Sequence, residues 1–249
     1  MQNKNKKKIA SILSSVFSKK NIGNRIFTYH SINYKKNNLT SNLYQLNPKL
    51  FFDQMNYLIN NKSNFNKISQ FDNLKSNFLI TFDDGYKNLK INDIISFLNK
   101  NKIHCIIFVC PEFVNSNNKY YLNKNDLLEI CQSKYIDIGS HSYQHKKLTE
   151  LKYKDLNFQL DFSKKWLEDL LSKPVKSIAY PFGAFNERVI KSVESAGYDY
   201  GFTTRFNFYD KINEKFKIPR IDIWNNDDLK TFRRKEEGRW NWMKFFSKY

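Results

Sequence analysis

The feature that most restricts what this chain can fold into is an alternation of short apolar runs that read as buried strands with longer stretches of helically spaced apolar residues. Arg25 to Ser31, Asn77 to Phe82, Ile103 to Val109, Tyr135 to Gly139, Ser177 to Tyr180, Tyr200 to Thr204 and Phe216 to Ile223 read as strands. Between the first two, Asn47 and Pro48 offer a cap and a first-turn proline for a helix reaching about Asn61, with Phe51, Met55, Leu58 and Ile59 facing inward. Lys87 to Lys100 repeats the pattern with Ile91, Ile94, Ile95 and Leu98, and further helices are expected over Asp126 to Gln132, Asp155 to Leu171 and from Asn186 to a stop at Gly197. Such alternation builds a mostly parallel sheet covered by helices. The expected fold class is therefore α/β, and the number of units suits a distorted (β/α) barrel more than a short open sheet. A length of 249 residues is ordinary for one barrel, and 22 Phe and 15 Tyr provide the bulk for its core.

The expected organisation is a barrel over residues 25–230, a basic amphipathic segment over 1–24 and a basic aromatic tail over 231–249. In the first segment Ile9, Ile12, Leu13, Val16 and Phe17 form one helical stripe flanked by Lys6 to Lys8, Lys19 and Lys20. That stripe suits peripheral contact with an anionic membrane or packing on the protein's own barrel. It mimics the basic and apolar parts of a signal peptide, but serines break it and no small-x-small cleavage site follows. A cytoplasmic or membrane-surface location is favoured on this reading, with export as the alternative. No apolar run approaches the length of a spanning helix.

The 42 Lys and Arg against 24 Asp and Glu give a formal charge of +18, which favours anionic partners, but no nucleic-acid recognition motif accompanies it and no specific nucleic acid is expected. Cys105, Cys110 and Cys131 are an odd number on apolar stretches, and they read as free core thiols. The polar stretch Asn115 to Asn125 reads as an exposed loop able to border a groove.

Chemistry gathers where strands end. Asp83 and Asp84 follow the run Phe78 to Phe82, and Gly85 permits the chain to curl so that both carboxylates reach one cleft. Two adjacent carboxylates repel, and a divalent cation relieves the repulsion while holding one of them. His141 and His145, four residues apart, are expected on one side of a helical turn, their Cβ atoms about 5 to 6 Å apart. With Asp84 as third ligand they make a candidate site for one divalent ion, most naturally zinc, and Asp83 is left free to act as a base.

Thr81 to Gly85, His141 to His145 and Tyr180-Pro181-Phe182-Gly183 occur in the order of the successive motifs of the polysaccharide deacetylase family, the NodB-homology carbohydrate esterases. The resemblance runs from about Arg25 to Trp224. It implies a metal-dependent N-deacetylase of N-acetylated amino sugars in a polysaccharide or glycolipid. It also implies Asp83 as general base, Asp84, His141 and His145 as metal ligands, and the Phe182 amide, set by Tyr180, Pro181 and Gly183, as an oxyanion donor.

The chain departs from the commonest family pattern in two places: Ala179 stands where many members have an arginine, and no Leu-x-His follows, since no histidine lies beyond His145. A subgroup resembling the poly-N-acetylglucosamine deacetylases carries Tyr-Pro-x-Gly and a Tyr-His pair on the first strand, matched here by Tyr29-His30. By that resemblance His30 lines the site and protonates the leaving amine. Pro219-Arg220-Ile221-Asp222 resembles the late strand of the same subgroup and offers the Arg220 guanidinium to Asp83. Read from residues alone, His30 also fits an ordinary strand-end histidine and Arg220 a surface ion pair. A glycan-binding barrel without turnover remains the rival from another class.

Overall fold

A computed structural model describes residues 23–34, 40–72, 76–116, 118–210 and 214–246. The amphipathic stripe from Ile9 to Phe17 lies outside the described residues. The strands are β1 (Arg25–Tyr29), β2 (Ser31–Ile32), β3 (Gln45–Leu46), β4 (Asn64–Phe65), β5 (Asn77–Phe82), β6 (Cys105–Val109), β7 (Ile136–Ser140), β8 (Ser177–Ala179), β9 (Tyr200–Phe202) and β10 (Ile221–Asp222). The helices are α1 (Pro48–Asn60), α2 (Asn88–Ile91), α3 (Ile94–Lys100), α4 (Pro111–Asn115), α5 (Lys124–Ile130), α6 (Tyr153–Asn157), α7 (Ser163–Leu171), α8 (Glu187–Ser195) and α9 (Leu229–Glu236).

All pairings in the main sheet are parallel, in the order β10-β1-β5-β6-β7-β8-β9, with β4 added at the start of β5. One extended segment carries the curl round: Ile218 bridges Phe202 of β9, and Ile221 pairs with Phe27 of β1. The result is the distorted barrel expected from the alternation. Strand parity sorts the side chains. Ile26, Leu79, Ile106, Phe108, Ala179, Phe202 and Ile218 fill the inside, while Phe27, Tyr29, Ile80, Phe82, Ile107 and Val109 pack outward under the helices.

Asn47 caps α1 through a 2.9 Å bond from the Lys49 amide, and Phe51, Met55 and Leu58 are buried as the spacing requires. Truncating a buried phenylalanine such as Phe51 to alanine costs about 3–5 kcal/mol. The three cysteines are buried and free. Part of the expected aromatic tail packs on the barrel: Phe232 meets Phe27 at 4.9 Å, buried Lys235 sits 3.8 Å over Trp224 while pairing with Asp227 at 2.5 Å, and Trp240 is buried, whereas Phe245 is exposed.

The structure differs from the sequence expectation in identifiable places. Lys87 to Lys100 is two helices, because Asp93 turns left-handed at φ 58°, and Ile91 ends exposed. The tie that fixes the break is tertiary: Asn88 and Asn92 side chains bond Ser31 Oγ and Ile32 O, both at 2.7 Å. The late strand shrinks to β10, since Pro219 has no N–H for a ladder. The first strand breaks at His30, between β1 and β2. The helix expected over 155–171 runs from Tyr153 to Leu171 with a π-type turn at Phe158–Phe162.

Candidate active site

The chain leaves β5 through two consecutive left-handed residues, Asp84 at φ 68° and Gly85 at φ 65°. Gly85 is required there, because a Cβ would lie 2.7 Å from Val109 Cγ1. This curl brings both carboxylates to the C-terminal rim, where barrel sites lie. Asp83 is anchored first by its own amide, which donates to Tyr29 O at 3.0 Å.

His141 and His145 are not on a helix, contrary to the expectation from their spacing. They stand in an irregular loop after β7 in which Ser142 (φ 60°) and His145 (φ 56°) are both left-handed. The His145 amide bonds Ser142 Oγ at 3.1 Å, Ser142 N bonds Ser140 Oγ at 3.2 Å, and Tyr143 N reaches Gln159 O at 3.1 Å. The loop achieves by hydrogen bonding what a helical turn would have done by pitch: the two rings are 4.8 Å apart. His141 Nδ1 lies 2.8 Å from Ala179 O. A carbonyl only accepts, so Nδ1 carries the hydrogen and Nε2 presents its lone pair to the cleft.

Asp84 Oδ1 lies 3.6 Å from His141 Nε2 and 3.4 Å from His145 Nε2, and one donor atom from each of the three residues falls within 4.8 Å of the others. One carboxylate and two imidazoles at such separations fit a single divalent ion of the zinc type. Burial pushes the His141 imidazole down to about 3 and lowers His145, so both offer neutral nitrogen at ordinary pH. Burial raises Asp84, which is the behaviour of a carboxylate that a cation would pull back into its ionised form.

Asp83 is the opposite case. Burial alone would raise its carboxyl, yet the Arg220 guanidinium, with His141 and His30 beyond it, holds it far below the ordinary carboxylate range. Arg220 is fully buried and forks onto Asp83 with Nη1 to Oδ1 at 2.7 Å and Nη2 to Oδ2 at 2.8 Å. Its Nε donates to Thr203 O at 2.8 Å, which fixes the plane of the fork. The guanidinium absent at Ala179 therefore reaches the base carboxylate from the segment leading into β10, and Ala179 instead offers its carbonyl to His141.

His30, at the break after β1, has Nε2 4.0 Å from Asp83 Oδ2, and burial lowers its pKa. Its ring leans on Tyr44 at 4.3 Å. Tyr180 is fully buried with its hydroxyl on Phe216 O at 2.9 Å, so it supports the third motif from behind. Pro181 opens a tight turn in which Phe182 (φ 60°) and Gly183 (φ 65°) are again left-handed, and a Cβ on Gly183 would lie 1.9 Å from Thr204 Oγ1. The exposed Phe182 ring stands 4.8 Å from that of His145.

His30, Asp83, Asp84, His141, His145, Tyr180 and Phe182 line a cavity of about 470 Å3 together with Tyr44, Asp222, Trp224 and Met243, the last four of which the sequence reading did not assign to the site, while Arg220 lies behind the lining. Asp222 carried a signal, being two residues after Arg220 on the same strand. Its Oδ1 is buried without a hydrogen-bond partner among the described residues, and burial pushes its carboxyl up to about 6. Tyr44 carried none, since only the fold brings its short turn beneath His30.

Comparison with known proteins supplies the family. The family described as Polysaccharide deacetylase matches residues 72–201. Bacillus subtilis YxkH, assigned by name to the polysaccharide deacetylases, is 32% identical over 145 residues, covering 58% of this chain and 50% of its own. The poly-beta-1,6-N-acetyl-D-glucosamine N-deacetylase of Staphylococcus epidermidis is 27% identical over 175 residues, 66% of this chain and 60% of its own. The chain thus spans about half to three-fifths of the length of these curated relatives. In fold it is similar to the Streptococcus pyogenes deacetylase PplD solved with acetate, at TM-score 0.77 and 21% identity over 86% of this chain and 98% of that one. It is also similar to IcaB from Ammonifex degensii, at TM-score 0.71 and 18% identity over 87% and 98%. With the family match spanning more than half its length and the three motifs meeting in one cleft, the chain belongs to the polysaccharide deacetylase family.

Proposed function

We propose that this chain is a divalent-metal-dependent N-deacetylase acting on N-acetylated amino sugars in a polymer, with zinc as the metal. The observation that carries the reading is the side-by-side placement of a three-residue donor set, Asp84, His141 and His145, and a carboxylate, Asp83, kept ionised by a buried arginine. A bound divalent ion supplies Lewis acidity, polarising the acetamide carbonyl and acidifying a water. Asp83 takes the proton of the attacking water, and the Arg220 fork keeps its oxygens aimed at the cleft. The Phe182 amide donates to the oxyanion that develops on the acetamide. His30, 4.0 Å from Asp83, gives a proton to the nitrogen that departs as an amine. Because burial keeps His30 neutral at rest, the proton that Asp83 collects is the natural source of the one that His30 delivers.

The relatives support the substrate class: one is named for poly-beta-1,6-N-acetyl-D-glucosamine, and a structure of the same fold was solved with acetate. Purified full chain incubated with N-acetylglucosamine oligomers should release acetate, lose the activity to a chelator and regain it with Zn2+. Absence of acetate release from the Zn2+-loaded chain would sink the reading and favour glycan binding without turnover. The stripe from Ile9 to Phe17 supports a membrane-surface variant of the same reading, with a lipid-linked sugar as substrate and a location at the cytoplasmic face. Equal flotation with anionic liposomes by the full chain and by a chain lacking residues 1–24 would remove it.

A further inference from the structure

The exposed polar loop expected over Asn115 to Asn125 has a partner that the reaction scheme above does not use. Its second half lies antiparallel against the turn that presents Asp84. Leu122 N donates to Gly85 O at 2.9 Å, Lys87 N donates to Tyr120 O at 2.8 Å, and Tyr86 bridges Tyr121 between them.

The side chains extend this clamp to two of the three donor residues. Tyr86 is 3% exposed, stands two residues after Asp84, and has its hydroxyl beside the Asp84 carboxylate and the hydroxyls of Thr40 and Tyr121. Its ring stacks on Tyr121 at 5.4 Å and 23°, Tyr121 stacks on Phe113 at 4.6 Å and 26°, and Phe113 lies nearly parallel to the His145 ring at 6.2 Å and 29°. A continuous aromatic row therefore begins at the carboxylate donor and ends at an imidazole donor. Both residues it touches are left-handed, at φ 68° and 56°, conformations that persist only where the surroundings hold them.

We propose that Tyr86 is a positioning residue for the divalent-ion site: its hydroxyl sets the Asp84 carboxylate, and the row Tyr86-Tyr121-Phe113 keeps that carboxylate in register with the His145 ring. The inference rests on the metal reading above. Partners behind a metal ligand restrict its orientation before the ion arrives, and losing one typically weakens affinity about 10- to 100-fold.

The test is Zn2+ affinity of the full chain, measured by competition with a chromophoric chelator, beside the melting temperature of the metal-free form. Tyr86→Phe should weaken Zn2+ binding about 10- to 100-fold while the metal-free form melts with wild type. Phe113→Leu, which removes the ring facing His145 and keeps an apolar side chain, should weaken binding less. Tyr120→Phe, an exposed hydroxyl in the same loop, should bind as wild type does. Wild-type affinity in Tyr86→Phe overturns the proposal. So does weaker binding matched by a comparable loss of metal-free stability, which would assign Tyr86 to packing alone. A wild-type chain that binds no Zn2+ overturns the metal reading itself, and the outcomes are distinguishable because that result appears before any substitution is made.

Discussion

The barrel holds a cavity at each end, and the two are nearly equal in size: about 470 Å3 at the C-terminal ends of the strands and about 460 Å3 at the N-terminal ends. Their chemistry is not alike. The N-terminal cavity is lined by Lys67, Lys134, Lys173 and Lys176 over an apolar floor that includes Ile106 and Leu171. Each of those lysines turns to a separate neighbour: Lys67 to Asp137 at 3.5 Å, Lys176 to Asp199 at 3.9 Å, Lys173 to Cys131 O, and Lys134 to the Tyr135 ring. At the other end Asp83, Asp84, His30, His141, His145 and Arg220 converge on one another. Volume therefore does not mark the site, and convergence of unlike charges does. The backbone shows the same division. Left-handed Lys62, Lys102 and Ser172 simply end helices, whereas left-handed Asp84, His145 and Phe182 stand at the cleft.

The contrast can be broken by substitution at either end. The largest effect is expected from Asp83→Asn, which removes the base and keeps the shape: acetate release should fall by about 10²- to 10⁴-fold with Zn2+ affinity within a few-fold of wild type. Retained turnover would remove Asp83 from the reaction. Arg220→Met comes next. It strands a buried carboxylate, and urea unfolding should show a loss of about 3–5 kcal/mol, well above that of any surface lysine.

Acid should destabilise the metal-free chain through the cleft imidazoles, against an opposing contribution from Asp222, whose carboxyl, pushed up to about 6, takes its proton first in the folded chain. The His141 pKa is near 6.5 when unfolded and about 3 when folded, so the unfolded chain binds the extra proton first. Stability held above pH 6.5 is then lost as pH falls toward 3, by at most about 1.4 kcal/mol per pH unit for this residue, and His145 and His30 act in the same direction. A His141 ring that titrates at or above pH 6.5 in the folded metal-free chain, followed by NMR, would contradict the buried neutral imidazole. Smallest of all should be the double change Lys134→Ala with Lys176→Ala at the opposite end, within about 0.5 kcal/mol in stability and without effect on acetate release.

Much of the fold was legible because strand and helix periods are local. The runs ending at Phe82, Val109 and Gly139 became β5, β6 and β7 within a residue or two, and Asn47 and Asn186 capped the helices that their positions announced. The misreadings came where a distant partner overrode local spacing. Asn88 and Asn92, tied to β2, split one expected helix, and hydrogen bonds through Ser142 and Gln159 turned the histidine pair from a helical turn into a loop.

The chemical inventory was set by the chain alone: which carboxylates are adjacent, that two histidines lie four apart, that Gly85 and Gly183 permit turns no other residue would accept, and that no histidine follows His145. What only the tertiary structure decided is who faces whom. Arg220, 137 residues from Asp83, forks onto it, Tyr44 leans on His30, and a loop distant in sequence pairs with the turn at Gly85. Residue type and local spacing follow from covalent order, but Coulomb attraction, stacking and burial act through space, so those pairings exist only once the barrel has brought its strand ends together.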